Sequence, residues 1–361
     1  MPHRAGAIAR SRLLLRSATA LAVAALGTGL LAGQPASAAS HHHATKPVPL
    51  EVYSSEGYDA LVVHDFEAET GIPVHLETKP LKTLTAEVQS TKSNPHWGVL
   101  WVDGPTAMAT LDGEHLLVKH LKTTASLNAL GLHALPKDKS FVPTGVTFTA
   151  ALLYSTKAVS LPPTTFAQLL LPQWKGQIAM TTPKQVAATY PFIAGQIAQV
   201  GGTKGVAKGE AYFTALKKNG LVVYPTTGQT IQAVSSGKVK AALLQSSVAV
   251  GAEHVDPTLG VTYLHTVTVL PSTIAVDAKA TKKQRAEGAK FINYVLSASG
   301  QNAMQAGTRY DESNYYPVVD NVQPLAGLPS TGAIPSKRIT PYVWAKRQAA
   351  ITAWFVKHIT H

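Results

Sequence analysis

From Leu50 onward the chain alternates short apolar runs of strand length with longer stretches of helical periodicity, and this rhythm limits the fold more than any other feature. Leu50-Glu51-Val52-Tyr53 reads as a strand. Ser54-Ser55 stands where a helix cap belongs, and the helix after it runs to about Glu69, with Leu61, Val62, Asp65 and Phe66 at turn spacing. Thr70-Gly71 ends that helix. Ile72 to Leu76 is the next strand, Leu81 to Ser90 the next helix, and Val99-Leu100-Trp101-Val102 a third strand closed by Asp103-Gly104-Pro105. Strand, helix, strand at this spacing is the signature of a parallel sheet. The rhythm returns with strands at 146–154, 176–180, 222–224 and 241–245, and helices at 164–171, 186–200, 206–218 and 229–236. Two further strands, 261–264 and 274–276, precede a long helix from Lys282 to about Ala298. At 361 residues the chain is too long for one small core, so two α/β lobes are expected.

The first 38 residues have a different character. Arg4, Arg10, Arg12 and Arg16 without an acid, then an Ala/Leu-rich run from Thr19 to Gly33, then Ala36-Ser37-Ala38, form the n-region, h-region and cleavage site of a secretory signal peptide. Leu31-Ala32-Gly33-Gln34 has the form of a lipoprotein box with Gln34 in place of the lipidated cysteine, so a soluble, unanchored mature protein is expected. Removing the leader lowers Lys+Arg from 32 to 28 against 20 Asp+Glu, a net charge of +8. The remaining lysines are scattered rather than interleaved with aromatics, which with export argues against nucleic acid. Residues 39–49 read as a flexible leader. Cleavage after Ala38 leaves Ala39-Ser40-His41 at the new terminus, where a free amine and His41 offer a compact nitrogen site for Cu(II) or Ni(II).

Much chemistry is excluded. The chain has no Cys, hence no disulfide, thiolate-bound metal or cysteine nucleophile. It lacks the G-x-S-x-G, H-E-x-x-H, P-loop, calcium-loop and G-x-G-x-x-G patterns. No positive sign of an enzyme remains, and no cofactor is expected.

Several segments occur in a telling order: "LEVYSSEGYDALVVHDFEAETGIPV", "NPHWGVLWVDG", "LPPTTFAQLLLPQWKGQIAMTTP", "AVSSGKVKAALL" and "AKFINYVLSASGQNAM" before "YYPV". Together they resemble the extracellular solute-binding proteins of bacterial ABC importers, the family of ferric-ion, thiamine, polyamine and aminoethylphosphonate binders. The resemblance implies an α/β fold of the periplasmic-binding-protein type II kind, two doubly wound lobes joined by crossing hinge strands near 144–151 and 263–271. Lobe one would be 50–145 and 271–325, lobe two 146–270, and 326–361 a C-terminal extension whose helix carries Trp344, Ile351, Trp354 and Phe355. The implied partners are a small-molecule solute and an ABC permease with its ATPase. A monomer in the periplasm, or outside a cell without an outer membrane, is expected.

In open α/β sheets ligands lie at the carboxyl ends of strands, near helix N-termini. That rule selects Tyr53, Ser54, Ser55, Tyr58, Trp101 and Asp103 in lobe one, and Thr181, Thr182, Tyr190, Thr227, Gln245 and Ser246 in lobe two. Iron-binding members carry adjacent tyrosines where this chain reads Gln245-Ser246-Ser247; its one tyrosine pair, Tyr315-Tyr316, reads as packing. A ferric site would need another set, drawn from Tyr58, Tyr190, Asp103, Glu253 and His254. The hydroxyls and amide of the expected cleft favour a small oxyanion such as a phosphonate or phosphate ester. A ferric-ion or other metal receptor is the first alternative, and a secreted two-lobed enzyme the second.

Overall fold

The computed structural model describes residues 47–307 and 313–360; the leader calls, His41 among them, lie outside these. The first half of the chain forms β1 (Leu50–Ser54), α1 (Asp59–Thr70), β2 (Val74–Thr78), α2 (Leu81–Ser90), β3 (Val99–Asp103), α3 (Pro105–Gly113), α4 (Ala129–Ala134) and β4 (Val142–Ser155). Next come β5 (Ile178–Thr181), α5 (Thr189–Gly201), α6 (Val206–Lys218), β6 (Val222–Tyr224), α7 (Thr227–Ser235), β7 (Ala241–Gln245) and α8 (Ser246–Val255). The last part is β8 (Leu259–Val276), α9 (Lys282–Val295), α10 (Ala298–Gly307), β9 (Ser336–Lys337), α11 (Pro341–Ala345) and α12 (Gln348–Phe355).

The strands form one sheet in the order β2-β1-β3-β8-β4-β7-β5-β6, with β9 against β8. β1, β2 and β3 are parallel, as are β5, β6 and β7, while β4 and β8 run antiparallel along their length and belong to both halves. The register of β4 shifts between Thr149 and Ala151, against both β7 and β8, so the break lies where one half of the sheet passes into the other. Each half is covered on both faces, as parallel sheets require. Val52, Trp101, Phe66 and Phe291 build one core of the first half, and Tyr53, Leu100, Val102 and Phe141 the other. Leu152, Met180, Phe192 and Phe213 fill one face of the second half, and Leu153, Ala179, Val234 and Leu244 the opposite face.

Several sequence expectations change. Ser54 ends β1 and accepts the N–H of Glu56 in a turn, rather than capping a helix; α1 starts at Asp59 because Tyr58 must first enter the core. The runs 261–264 and 274–276 are parts of one strand, β8, whose polar middle hid its continuity. The stretch 164–171 is a short 3-10 turn, Phe166–Leu170, closed by a capping box between Thr165 and Gln168. The C-terminal helix is two helices and a π-helical turn, Val356–Thr360. Trp344, Ile351, Phe355 and Ile359 enter the core of the second sheet half.

Candidate functional site

The carboxyl ends of β1, β3, β5 and β7 hold most of the polar side chains selected above. After β1 the chain turns through Ser54 and Glu56, and the Glu56 carboxylate is almost fully buried, 1% exposed. Burial of a carboxylate requires hydrogen-bond partners. Ser272 Oγ donates to it at 2.6 Å and the Tyr58 hydroxyl at 2.9 Å. The chain of bonds continues outward: Trp101 Nε1 donates to Thr144 Oγ1 at 3.0 Å, and Thr144 Oγ1 to Ser272 Oγ at 3.0 Å. Ser272 and Thr144 come from β8 and β4, so the network ties the end of β1 to both crossing strands. The Tyr58 and Trp101 rings lie 5.4 Å apart. Burial, and then the charges of Glu56 and Asp103, push the Tyr58 phenol well above its ordinary range, so it serves as a proton donor and a phenolate is disfavoured.

Asp103 ends β3, and Gly104, at a positive φ of 104°, lets the chain turn directly into α3 while its N–H reaches the carbonyl of Pro271 at 3.1 Å. Gln245 ends β7 in the other half. Its amide donates to Asp103 Oδ2 at 3.0 Å and to Thr147 Oγ1 at 3.3 Å. The two sheet halves therefore meet through a direct side-chain contact between strand ends.

Beside that contact is a cavity of about 30 Å³, lined by Thr149, Thr181, Thr189, Thr227 and Gln245 with Phe192, Leu243 and Val248. It has room for roughly one or two waters. No ionisable side chain lines it. The hydroxyls of Thr181 and Thr189 bond to each other. Thr226 caps α7, accepting the N–H of Gln229 at 3.2 Å, and so sets the helix N-terminus beside Thr227.

The other candidates have different surroundings. Ser55 is half-buried and joins β3 through its backbone, its N–H donating to Trp101 O at 3.0 Å. Thr182 is buried and shapes a turn, accepting the N–H of Lys184 at 3.3 Å. Ser246 is a strut, its Oγ accepting the N–H of Phe148 from β4 at 3.0 Å. Tyr53 points to the outer face, where its hydroxyl donates to Glu87 at 3.0 Å, and Tyr190 donates to Trp344 O at 2.6 Å within the core. Strand-end position placed both tyrosines near the site, but side-chain direction takes both away from it. Tyr315 and Tyr316 are buried, donating to Gln301 O at 3.0 Å and Pro329 O at 2.7 Å. Glu253 accepts the N–H of Val261 and His254 is exposed. Among the described residues no group of three His, Asp or Glu is gathered as metal ligands.

Glu56, Thr144, Thr147 and Ser272 were outside the selected residues. Three of them lie inside strands that pass the site rather than end at it, and Glu56 is a lone acid in a turn.

A family model for bacterial extracellular solute-binding proteins matches residues 62–335. The chain belongs to that family. Its solved structural relatives share the two-lobed type II periplasmic-binding fold. Iron-bound HitA from Pseudomonas aeruginosa has a TM-score of 0.73 at 19% identity, over 85% of this chain and 99% of that one. The periplasmic binding protein AfuA from Actinobacillus pleuropneumoniae, solved with fructose-6-phosphate, has a TM-score of 0.71 at 13% identity, over 86% and 98%. The ferric binding protein of Campylobacter jejuni gives 0.72 at 16%, over 86% and 99%. The family match makes this chain a bacterial extracellular solute-binding protein. No helix among the described residues is long and apolar enough to cross a membrane.

Proposed function

We propose that this solute-binding protein captures a small oxyanion, such as a phosphate ester or phosphonate, between lobe one (50–145 and 271–325) and lobe two (146–270). The observation that carries this reading is the lobe-two wall of the cleft, where the hydroxyls of Thr149, Thr181, Thr189 and Thr227 line a cavity of about 30 Å³ at the ends of β5 and β7 with no ionisable group among them; the ligand occupies the larger space opened when lobe one withdraws from this wall. Hydroxyl donors suit anionic oxygens, the Gln245 amide joins them once its bond to Asp103 opens, and the N-terminus of α7 adds a partial positive charge. The nearby carboxylates are already engaged, Glu56 by Ser272 and Tyr58, and Asp103 by Gln245. A ferric ion would call for phenolate and carboxylate oxygens. The hydroxyls of Tyr53, Tyr58 and Tyr190 are committed to Glu87, Glu56 and the carbonyl of Trp344.

Capture works by a hinge at β4 and β8: a ligand that touches both lobes favours the arrangement in which they meet. Export by the N-terminal signal, a soluble mature chain and delivery as a monomer to the permease complete the proposal. A thermal-shift panel on the purified mature protein tests it, with fructose-6-phosphate, a phosphonate, a sulfonate, spermidine, thiamine and ferric citrate added singly. Ligand at 100 times its dissociation constant contributes about 2.7 kcal/mol, a rise of several degrees. The oxyanion reading predicts a rise with a phosphate ester or phosphonate that Thr227→Val diminishes. A rise with ferric citrate alone overturns it in favour of a metal receptor.

A further inference from the structure

We propose that residues 335–347 form a strap between the two lobes, whose clasp on lobe one favours the arrangement in which Asp103 and Gln245 meet. The inference rests on the closing motion proposed above and concerns a segment beyond the reach of the family match, which ends at residue 335. At its start the strap is tied to a crossing strand. Val267 N–H donates to Pro335 O at 2.9 Å, and Ser336 and Lys337 pair with Val267 and Thr268 of β8. Thr268 in turn stands opposite Thr149 of β4, at the edge of the register break.

Pro341 then opens α11, a helix of five residues. Residues two apart on a helix project about 200° from each other, onto opposite sides. Tyr342 and Trp344 use that geometry to hold different lobes. The Tyr342 hydroxyl donates to Asp112 Oδ2 on α3 at 2.9 Å, and its ring packs against the lobe-one core that includes Met108 and Leu111. Trp344, 1% exposed, sits in the lobe-two core, and its carbonyl accepts from Tyr190 of α5 at 2.6 Å. Further along, the Arg347 guanidinium donates to the carbonyl of Thr203, and the Phe355 ring meets Phe213 edge-on at 5.4 Å.

The two attachments are unequal. Lobe two holds the strap by full burial of Trp344, Ile351, Phe355 and Ile359, whereas lobe one holds it by one half-buried side chain, Tyr342, through its ring and one phenol–carboxylate bond. The lobe-one end is therefore the part that can release during opening. The Lys119 ammonium lies 3.6 Å from the other oxygen of Asp112, so the acceptor faces a positive charge but has no second hydrogen bond among the described residues. A contact made in one arrangement and lost in the other shifts the balance toward the first by its own free energy.

The absence of cysteine from the sequence makes the test direct. Glu69→Cys on α1 and Ser235→Cys on α7 place a spin label on an exposed position of each lobe. Double electron–electron resonance on the ligand-free protein then reads the ratio of short to long interlobe distances, in the parent, in Tyr342→Phe and in Gln245→Ala. Tyr342→Phe keeps the ring and deletes the clasp, and should lower that ratio roughly ten-fold or more, the worth of one net hydrogen bond to a carboxylate. If Gln245→Ala lowers the ratio and Tyr342→Phe leaves it within a factor of about two, the strap is overturned and the closing motion stands. If neither variant moves it, the closing motion fails and the strap with it. Circular dichroism melts of each variant establish that the fold is retained.

Discussion

Ser272→Ala tests whether the buried network at the end of β1 is a structural requirement of the site. Ser272 Oγ donates the 2.6 Å bond to the Glu56 carboxylate and accepts the 3.0 Å bond from Thr144, so one substitution deletes both. A hydrogen bond to a charged group contributes roughly 1.5–3 kcal/mol and a neutral one about 1. Only one oxygen's volume is lost, so the cavity contribution is small. The expected cost is about 2.5–4 kcal/mol, a large part of a total stability of roughly 5–15 kcal/mol. Equilibrium urea unfolding reads it as a lower midpoint at unchanged slope. Ser126→Ala is the internal control: Ser126 donates an equally short bond, 2.6 Å, to Asp320, but at an exposed position, and should cost under about 0.5 kcal/mol. A Ser272→Ala cost below about 1 kcal/mol, or equal costs for the two variants, refutes the reasoning that burial gives the network its weight.

Two further substitutions address the hinge and the buried charges. A Cβ on Gly195 of α5 would lie 1.8 Å from Thr268 Oγ1 and 2.8 Å from its Cβ. Gly195→Ala should therefore destabilise by roughly 1–3 kcal/mol in thermal melts, and in the same chain Thr268→Ala should restore only part of that, because its Cβ stays at 2.8 Å, while Thr268→Gly removes every clashing atom. Asp277, 2% exposed, has its carboxyl raised above the ordinary value by burial, against the N–H of Lys279 and the charges of Arg285 and Lys279. The folded state then holds this proton to higher pH than the unfolded chain, so stability falls as pH rises from the ordinary value of 3.8 through the raised folded value. Asp277→Asn retains an acceptor for the Lys279 N–H and should be flatter over that window and more stable at neutral pH; an unchanged pH slope in urea titrations contradicts this assignment.

The fold was legible where side-chain patterns are simple. Val99-Leu100-Trp101-Val102 is apolar throughout because β3 is covered on both faces, and Phe66, Val62 and Leu61 mark the buried side of α1. β8 reads as two strands because His265, Thr266, Thr268, Ser272 and Thr273 interrupt the apolar run while strand pairing on both sides keeps it extended. α3 left no trace because Pro105 to Leu111 is buried nearly all round and so lacks a polar face. In the site, Asp103, Gln245, Thr181 and Thr227 followed from the strand-end rule. The same rule misplaced Tyr53 and Tyr190, since position along a strand does not fix where a long side chain ends. Glu56 and Ser272 were hidden for another reason: they are 216 residues apart, and only the pairing of β8 across the sheet brings them together.

The most direct test of non-catalytic capture is isothermal titration of the mature protein with fructose-6-phosphate and with a phosphonate, followed by phosphorus NMR of the mixture. A receptor for oxyanions gives saturable one-to-one heat with one of them and returns the ligand chemically unchanged. Heat with ferric citrate alone, or a phosphorus spectrum in which the ligand has become product, contradicts it.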